Sequence, residues 1–283
     1  MKKYNLAIII AIMLIAFTSC SPKEEFHVYL CLGQSNMEGN AKFEAQDTVS
    51  VDPRFVVLQV VDCPDLHREK GKWYTAVPPL ARCYTGLTPP DYFGRTMVAN
   101  LPSHIKVGVI NVAVGGCKIE LFDKDNYQSY IAESPDWLKN MADEYDGNPY
   151  GKLVEMARIA QKDGGIIKGI LIHQGESNTG DTDWPQKVKK VYDNLLNDLN
   201  IEANSIPLLA GELVNADQGG VCASMNEIIG TLPQTIPNSH IISSSGCKAS
   251  KDSLHFSAEG YRELGKRYAD KMLSLLDANI LMK

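Results

Sequence analysis

The chain has 283 residues, 22% of them charged, and a formal net charge of −6 with acids and bases interspersed. That length suits one α/β domain with a substantial core. The lack of a basic cluster argues against nucleic acid as a partner, and a neutral or weakly charged substrate fits the balance better.

The first twenty residues read as export machinery. Lys2 and Lys3 precede an unbroken apolar run from Leu6 to Phe17, which closes on Thr18-Ser19-Cys20. The run is shorter than the ~20 apolar residues a bilayer span requires. Its basic start, short apolar centre and small-residue end are those of a signal peptide. Residues 1–19 are therefore expected to be a lipoprotein signal. Cys20 resembles the lipid-modified cysteine of a bacterial lipobox, which would make a membrane the partner of this end through the lipid anchor. Ser21, rather than Asp, resembles lipoproteins exported to the outer membrane. Residues 20–26 are expected to be a tether and 27–283 a single domain.

Through that domain, apolar and β-branched runs of strand length occur at His27–Leu32, Phe55–Val61, Lys106–Val114, Ile166–His173, Pro207–Glu212 and His240–Ser244. Most are continuous rather than alternating, as in strands buried on both faces. Helical patterns stand between them at Tyr92–Asn100, Tyr150–Lys162, Gln186–Leu199, Cys222–Leu232 and Ala258–Leu276. The alternation predicts an α/β fold, a three-layer α/β/α sandwich around a central, mainly parallel sheet. The segments Asp62–Asp91 and Phe122–Asn148 are long, rich in Pro, Gly and aromatics, and read as excursions over the edge of the sheet that carries the site. Besides Cys20 there are six cysteines. Export permits disulfides, but spacing alone assigns no pair.

Sheets of this kind bind ligands beyond the carboxyl ends of their strands. Three short segments follow strand-like runs immediately: Gly33-Gln34-Ser35-Asn36-Met37, Gly115-Gly116 and His173-Gln174-Gly175-Glu176-Ser177. A fourth lies near the C-terminus, in Lys251-Asp252-Ser253-Leu254-His255-Phe256-Ser257, ahead of a helix that Ser257 is placed to cap. A nucleophilic serine needs a base, the base an orienting acid, and the developing oxyanion fixed donors. Asp252 and His255 are three residues apart, close enough for a carboxylate to reach Nδ1 and leave Nε2 free. His27 and His173 sit at strand ends, and His67, His104 and His240 lack an acid at comparable spacing. The Gly pair allows close backbone approach to a ligand. Gln174 could donate an amide N–H to an oxyanion. Gln34, Asn36, Glu176 and Asn178 are candidate substrate contacts. Trp73, Trp137 and Trp184 suit sugar stacking or a core role, with Trp184 the structural anchor.

Four motifs in this order resemble the SGNH hydrolase superfamily, in the carbohydrate-esterase branch that contains sialate O-acetylesterases and family 6 acetylxylan esterases. The resemblance runs from Val28 to about Tyr268. It implies Ser35 as nucleophile, His255 and Asp252 as its partners, and an oxyanion hole of the Ser35 and Gly116 backbone N–H groups with Gln174 as the softest assignment. It also implies an acetylated carbohydrate as substrate and no cofactor or metal. Cys117 and Phe122 depart from the branch, where Thr or Ser and Trp are usual. The competing readings are a non-catalytic glycan-binding lipoprotein on the same scaffold, and a lipase or thioesterase of the superfamily. The absence of GxSxG around Ser35 disfavours an α/β-hydrolase.

Overall fold

The computed structural model describes residues 23–276. The signal segment and Cys20 lie outside the described residues. Strands β1 (Glu25–Gly33), β2 (Phe55–Leu58), β3 (Trp73–Thr75), β4 (Ile105–Ala113), β5 (Gly165–His173), β6 (Leu208–Gly211) and β7 (Ser239–Ile242) form one sheet in the order β3-β2-β4-β1-β5-β6-β7. Every neighbouring pair is parallel except the edge pair β2–β3.

The continuous apolar runs are explained by helices on both faces. Along β1, Val28, Leu30 and Leu32 enter one core cluster, while Tyr29 and Cys31 enter the other. The first cluster is closed by α3 (Pro149–Lys162) and α4 (Trp184–Asp198), through Leu153, Met156, Val188 and Leu195. The second is closed by α2 (Pro89–Asn100) and α5 (Ala258–Leu275), through Phe93, Met97, Leu264 and Met272. A one-turn helix, α1 (Ser35–Glu38), follows β1 directly. The result is the three-layer α/β/α sandwich that strand and helix alternation predicts.

Some boundaries differ from the expectation. β1 begins at Glu25, which pairs with Ile105, so the sheet starts two residues inside the segment read as a tether. The excursion 62–91 contains β3 and the start of α2. Thr88 and Asp91 form a capping box there, and the Pro89-Pro90 pair, which lacks N–H groups the first turn does not need, opens the helix. The excursion 122–148 contains two helices, Tyr127–Glu133 and Asp136–Asp143. The single helix expected over Cys222–Leu232 is two short turns, Met225–Ile229 and Leu232–Thr235, with Gly230 between them and Pro233 at the start of the second. Cys63 and Cys83, which spacing left unpaired, form a disulfide across a separation of 20 residues. Cys31 is free and buried.

Candidate active site

Register brings three of the motifs to one row. Gly33 at the end of β1 is aligned with Ala113 of β4 on one side and His173 of β5 on the other. Ser35, Gly115-Gly116 and Gln174 therefore leave the sheet side by side. The β1 chain turns tightly against β5: a Cβ on Gly33 would lie 2.1 Å from the His173 carbonyl oxygen, which only glycine avoids. A Cβ at Gly115 would stand 3.7 Å from that of Ser35, so the two turns touch.

Ser35 opens α1, and its hydroxyl lies 2.8 Å from His255 Nε2. His255 Nδ1 is 2.7 Å from Asp252 Oδ2. The loop that carries this pair is pinned by a bridge between Ala249 and Phe256, and by Ser250 N–H donating to the His255 carbonyl. Ser253 takes the left-handed conformation, φ 56°, that the turn demands. Asp252 Oδ1 accepts from the Ser250 hydroxyl at 2.6 Å and from the Leu254 and His255 N–H groups at 3.0 Å. Burial pushes the Asp252 carboxyl up, but the hydrogen bonds from His255, Ser250 and the backbone outweigh it and hold the group well below the usual range. The carboxylate therefore stays ionised beside the imidazole. Ser257 accepts from Gly260 N–H and caps α5.

The N–H groups of Ser35 and Gly116 donate to no group among the described residues. Gly116 sits at φ 71°, and a Cβ there would stand 2.7 Å from Cη2 of Trp137. The Glu38 carboxylate packs against Gly115, where a Cβ would stand 2.9 Å from Oε2, so the Gly pair lies against the nucleophile turn. Burial pushes the Glu38 carboxyl up, against the pull of Arg82, whose Nε donates to Oε1 at 2.9 Å. Arg82 is 2% exposed and also donates to Glu144 and Tyr84. Glu38 and Arg82 are 44 residues apart, so no local spacing signals their pairing.

Several expected contacts turn out to be framework. Gln174 is not an oxyanion donor here. Its Nε2 donates to Asn178 Oδ1 at 2.7 Å and Gln34 Oε1 at 3.1 Å, with Cys117 O at 3.3 Å, while its Oε1 accepts from Trp184 Nε1. An amide nitrogen has two hydrogens, and internal acceptors take both. Asn178 is 4% exposed, holds Ile119 N–H and donates to Glu120 and Asp181. Asn36 is fully buried: it donates to Glu176 Oε1 and the Leu254 carbonyl, and accepts from Phe256 N–H and Tyr261 OH. It thus ties α1 to the His255 loop rather than meeting substrate. Glu176 lies behind it, its side chain 3% exposed, with burial pushing the carboxyl up against the pull of Asn36. Gln34 Oε1 is occupied by the Gln174 amide and the Gly175 and Ser177 N–H groups. Its Nε2 donates to no group among the described residues, which leaves the amide N–H groups for an incoming oxygen.

His173 is buried against Phe256 and pushed down to about 3 by burial, so it is neutral. Cys117 and Phe122 are buried hydrophobes. Trp184 is the anchor expected, 1% exposed. Trp73 stacks edge-on with Phe26 and donates to Asp163, away from the triad. Trp137 alone of the three is exposed, beside Gly116. Among the described residues no group of three or more His, Cys, Asp or Glu is arranged to hold a metal.

With this geometry in view, residues 25–274 match the family model for carbohydrate esterases described as sialic acid-specific acetylesterases. The chain belongs to that family. A curated relative, a probable carbohydrate esterase of Arabidopsis thaliana, is 28% identical over 129 residues, which span 44% of this chain and 47% of that protein. Its solved structure superimposes with a TM-score of 0.67 at 21% identity, covering 89% of this chain and 99% of that one. The structure of NanS gives 0.64 at 16% identity, covering 89% and 98%. XAC1771, a carbohydrate acetylesterase from Xanthomonas citri, gives 0.58 at 17% identity, covering 86% of this chain and 54% of that one. At such identities these neighbours establish the fold, which is that of the SGNH carbohydrate esterases.

Proposed function

We propose that this esterase-family protein removes O-acetyl groups from a carbohydrate, of the xylan or sialic acid type, through an acyl-enzyme on Ser35. The observation that carries the reading is the hydrogen-bonded chain from Ser35 Oγ through His255 to an ionised Asp252. His255 takes the serine proton as Oγ attacks the acetyl carbonyl, and returns it to the leaving sugar oxygen. Asp252 fixes the tautomer and stabilises the imidazolium. The unpaired N–H groups of Ser35 and Gly116 suit the oxyanion that forms between them. Water activated by His255 then releases acetate and regenerates the hydroxyl. A lipid on Cys20 tethering the enzyme at a membrane is part of the same reading.

The mechanism is tested by mixing the enzyme with 4-nitrophenyl acetate, quenching in acid and mapping the digested protein by mass. An acetyl group on the peptide that contains Ser35, and a burst of nitrophenol equal to the enzyme, are expected. Turnover with no burst and no acetylated peptide would count against an acyl-enzyme. A non-catalytic glycan-binding role would give neither burst nor turnover.

A further inference from the structure

We propose that the groove beside α1 is a subsite for a neutral sugar ring of the acetylated glycan, held by aromatic faces rather than by ion pairing; its role in turnover rests on the esterase reading above. Three aromatic side chains are exposed among the described residues: Phe43 at 39%, Tyr84 at 71% and Trp137 at 49%. They come from three separate stretches of chain; two share one groove, and the third stands on the helix that closes its side. Phe43 and Tyr84 line a cavity of ≈ 600 Å³ together with Glu38, Gly39, Arg82 and Met141. Glu38 ends the turn that begins at Ser35, and Gly39 is its C-cap. Trp137 stands one helical turn before Met141 on the Asp136–Asp143 helix, and its ring reaches the Gly116 backbone. The aromatic rim therefore runs from the oxyanion loop out along the groove.

Leaving an indole half in water forfeits apolar burial that Leu138 and Ala142 on the same helix achieve. A ring face so placed suits the C–H face of a sugar, which gains dispersion and apolar contact there while its hydroxyls stay wet. The charges decide what kind of sugar. Arg82, the buried cation of the groove, has four of its five N–H groups on Glu38, Glu144 and Tyr84. The other lining cation, Lys42, is exposed. Arg82 is thus spent on the carboxylates of Glu38 and Glu144, with no buried donor pair left for a substrate carboxylate. A neutral ring fits this wall, and an acidic one meets Glu38.

Binding and turnover test the subsite separately. Ser35→Ala protein should bind acetylated xylo-oligosaccharides with a change in tryptophan emission. Ser35→Ala/Trp137→Ala should bind them about tenfold or more weakly, and Ser35→Ala/Trp137→Phe should recover most of the affinity. In the active enzyme, Trp137→Ala should lower the ratio of kcat/KM for the oligosaccharide to that for 4-nitrophenyl acetate by about tenfold, through KM. Equal losses on both substrates would mean that Trp137 only braces the oxyanion loop and would overturn the subsite. So would binding indifferent to Trp137, or tighter binding of O-acetylated sialic acid than of the neutral oligosaccharide. Trp137-dependent binding without acetate release by the wild type would overturn the esterase reading and support the subsite. Acetate release with binding indifferent to Trp137 would overturn the subsite alone.

Discussion

At the scale of single residues, the site separates groups that face the cleft from groups that hold it. His255→Ala removes the base that lies 2.8 Å from the Ser35 hydroxyl, and kcat should drop by at least ~10³. Asp252→Ala should be milder, since imidazole retains some of the correct tautomer, and kcat/KM on 4-nitrophenyl acetate would order the two. Gln174 makes the sharpest contrast. Its removal orphans the buried Trp184 N–H, at a cost of roughly 1–3 kcal/mol, and takes one donor from the Asn178 and Gln34 oxygens, which keep their backbone N–H partners. Gln174→Ala should therefore lower the melting temperature by several degrees and change kcat only a few-fold. A fall of ~10²–10³ in kcat at an unchanged melting temperature would restore Gln174 to the oxyanion hole.

Between elements, the coupling that matters joins α1 to the loop before α5. Asn36 makes it, with four hydrogen bonds that reach Glu176, Leu254, Phe256 and Tyr261. Asn36→Ala should cost ~2–3 kcal/mol in urea unfolding and lower kcat more than it alters KM, because the Ser35–His255 distance loses its brace. His173 lies on the same seam. Burial holds its folded pKa at about 3, below the ordinary 6.5. Between those values the unfolded chain binds a proton that the folded chain refuses, so its share of stability is present above about 6.5 and is lost as pH falls. The slope is on the order of 1 kcal/mol per pH unit. Glu176, raised by burial, pulls the other way. Comparing wild type with His173→Gln at pH 7 and pH 4 isolates the histidine, and the variant should lose less stability on acidification.

Much at these two scales was legible from the chain. Ser35, Asp252 and His255 stand in short motifs whose local spacing is the geometry, because a carboxylate three residues before a histidine reaches Nδ1 across a single turn. Strand runs were legible because burial on both faces leaves no polar positions. What was not legible depended on contacts between distant segments. The amides of Gln174, Asn178 and Asn36 look alike as donors in sequence, and only packing shows whether their N–H groups meet water or a neighbour. The Glu38–Arg82 pair, the β3 edge strand and the gathering of Phe43, Tyr84 and Trp137 have no periodic signal at all.

For the whole molecule, the parallel sheet positions the chemistry and the two excursions shape what reaches it. The Cys63–Cys83 disulfide closes the excursion that supplies Arg82 and Tyr84. Opening a loop of this size should cost ~3 kcal/mol. In Cys63→Ser/Cys83→Ser protein the melting temperature should fall, and KM should rise more for the glycan than for 4-nitrophenyl acetate, since the groove wall loosens while the triad stays on α1 and the loop before α5. One comparison decides whether Ser35 carries glycan deacetylation. Acetate released from acetylated xylan and from O-acetylated sialic acid should be measured side by side for wild type and Ser35→Ala. The wild type should release acetate from at least one glycan, and the variant at less than ~10⁻³ of that rate. Release by Ser35→Ala at a rate near that of the wild type would contradict a nucleophilic Ser35.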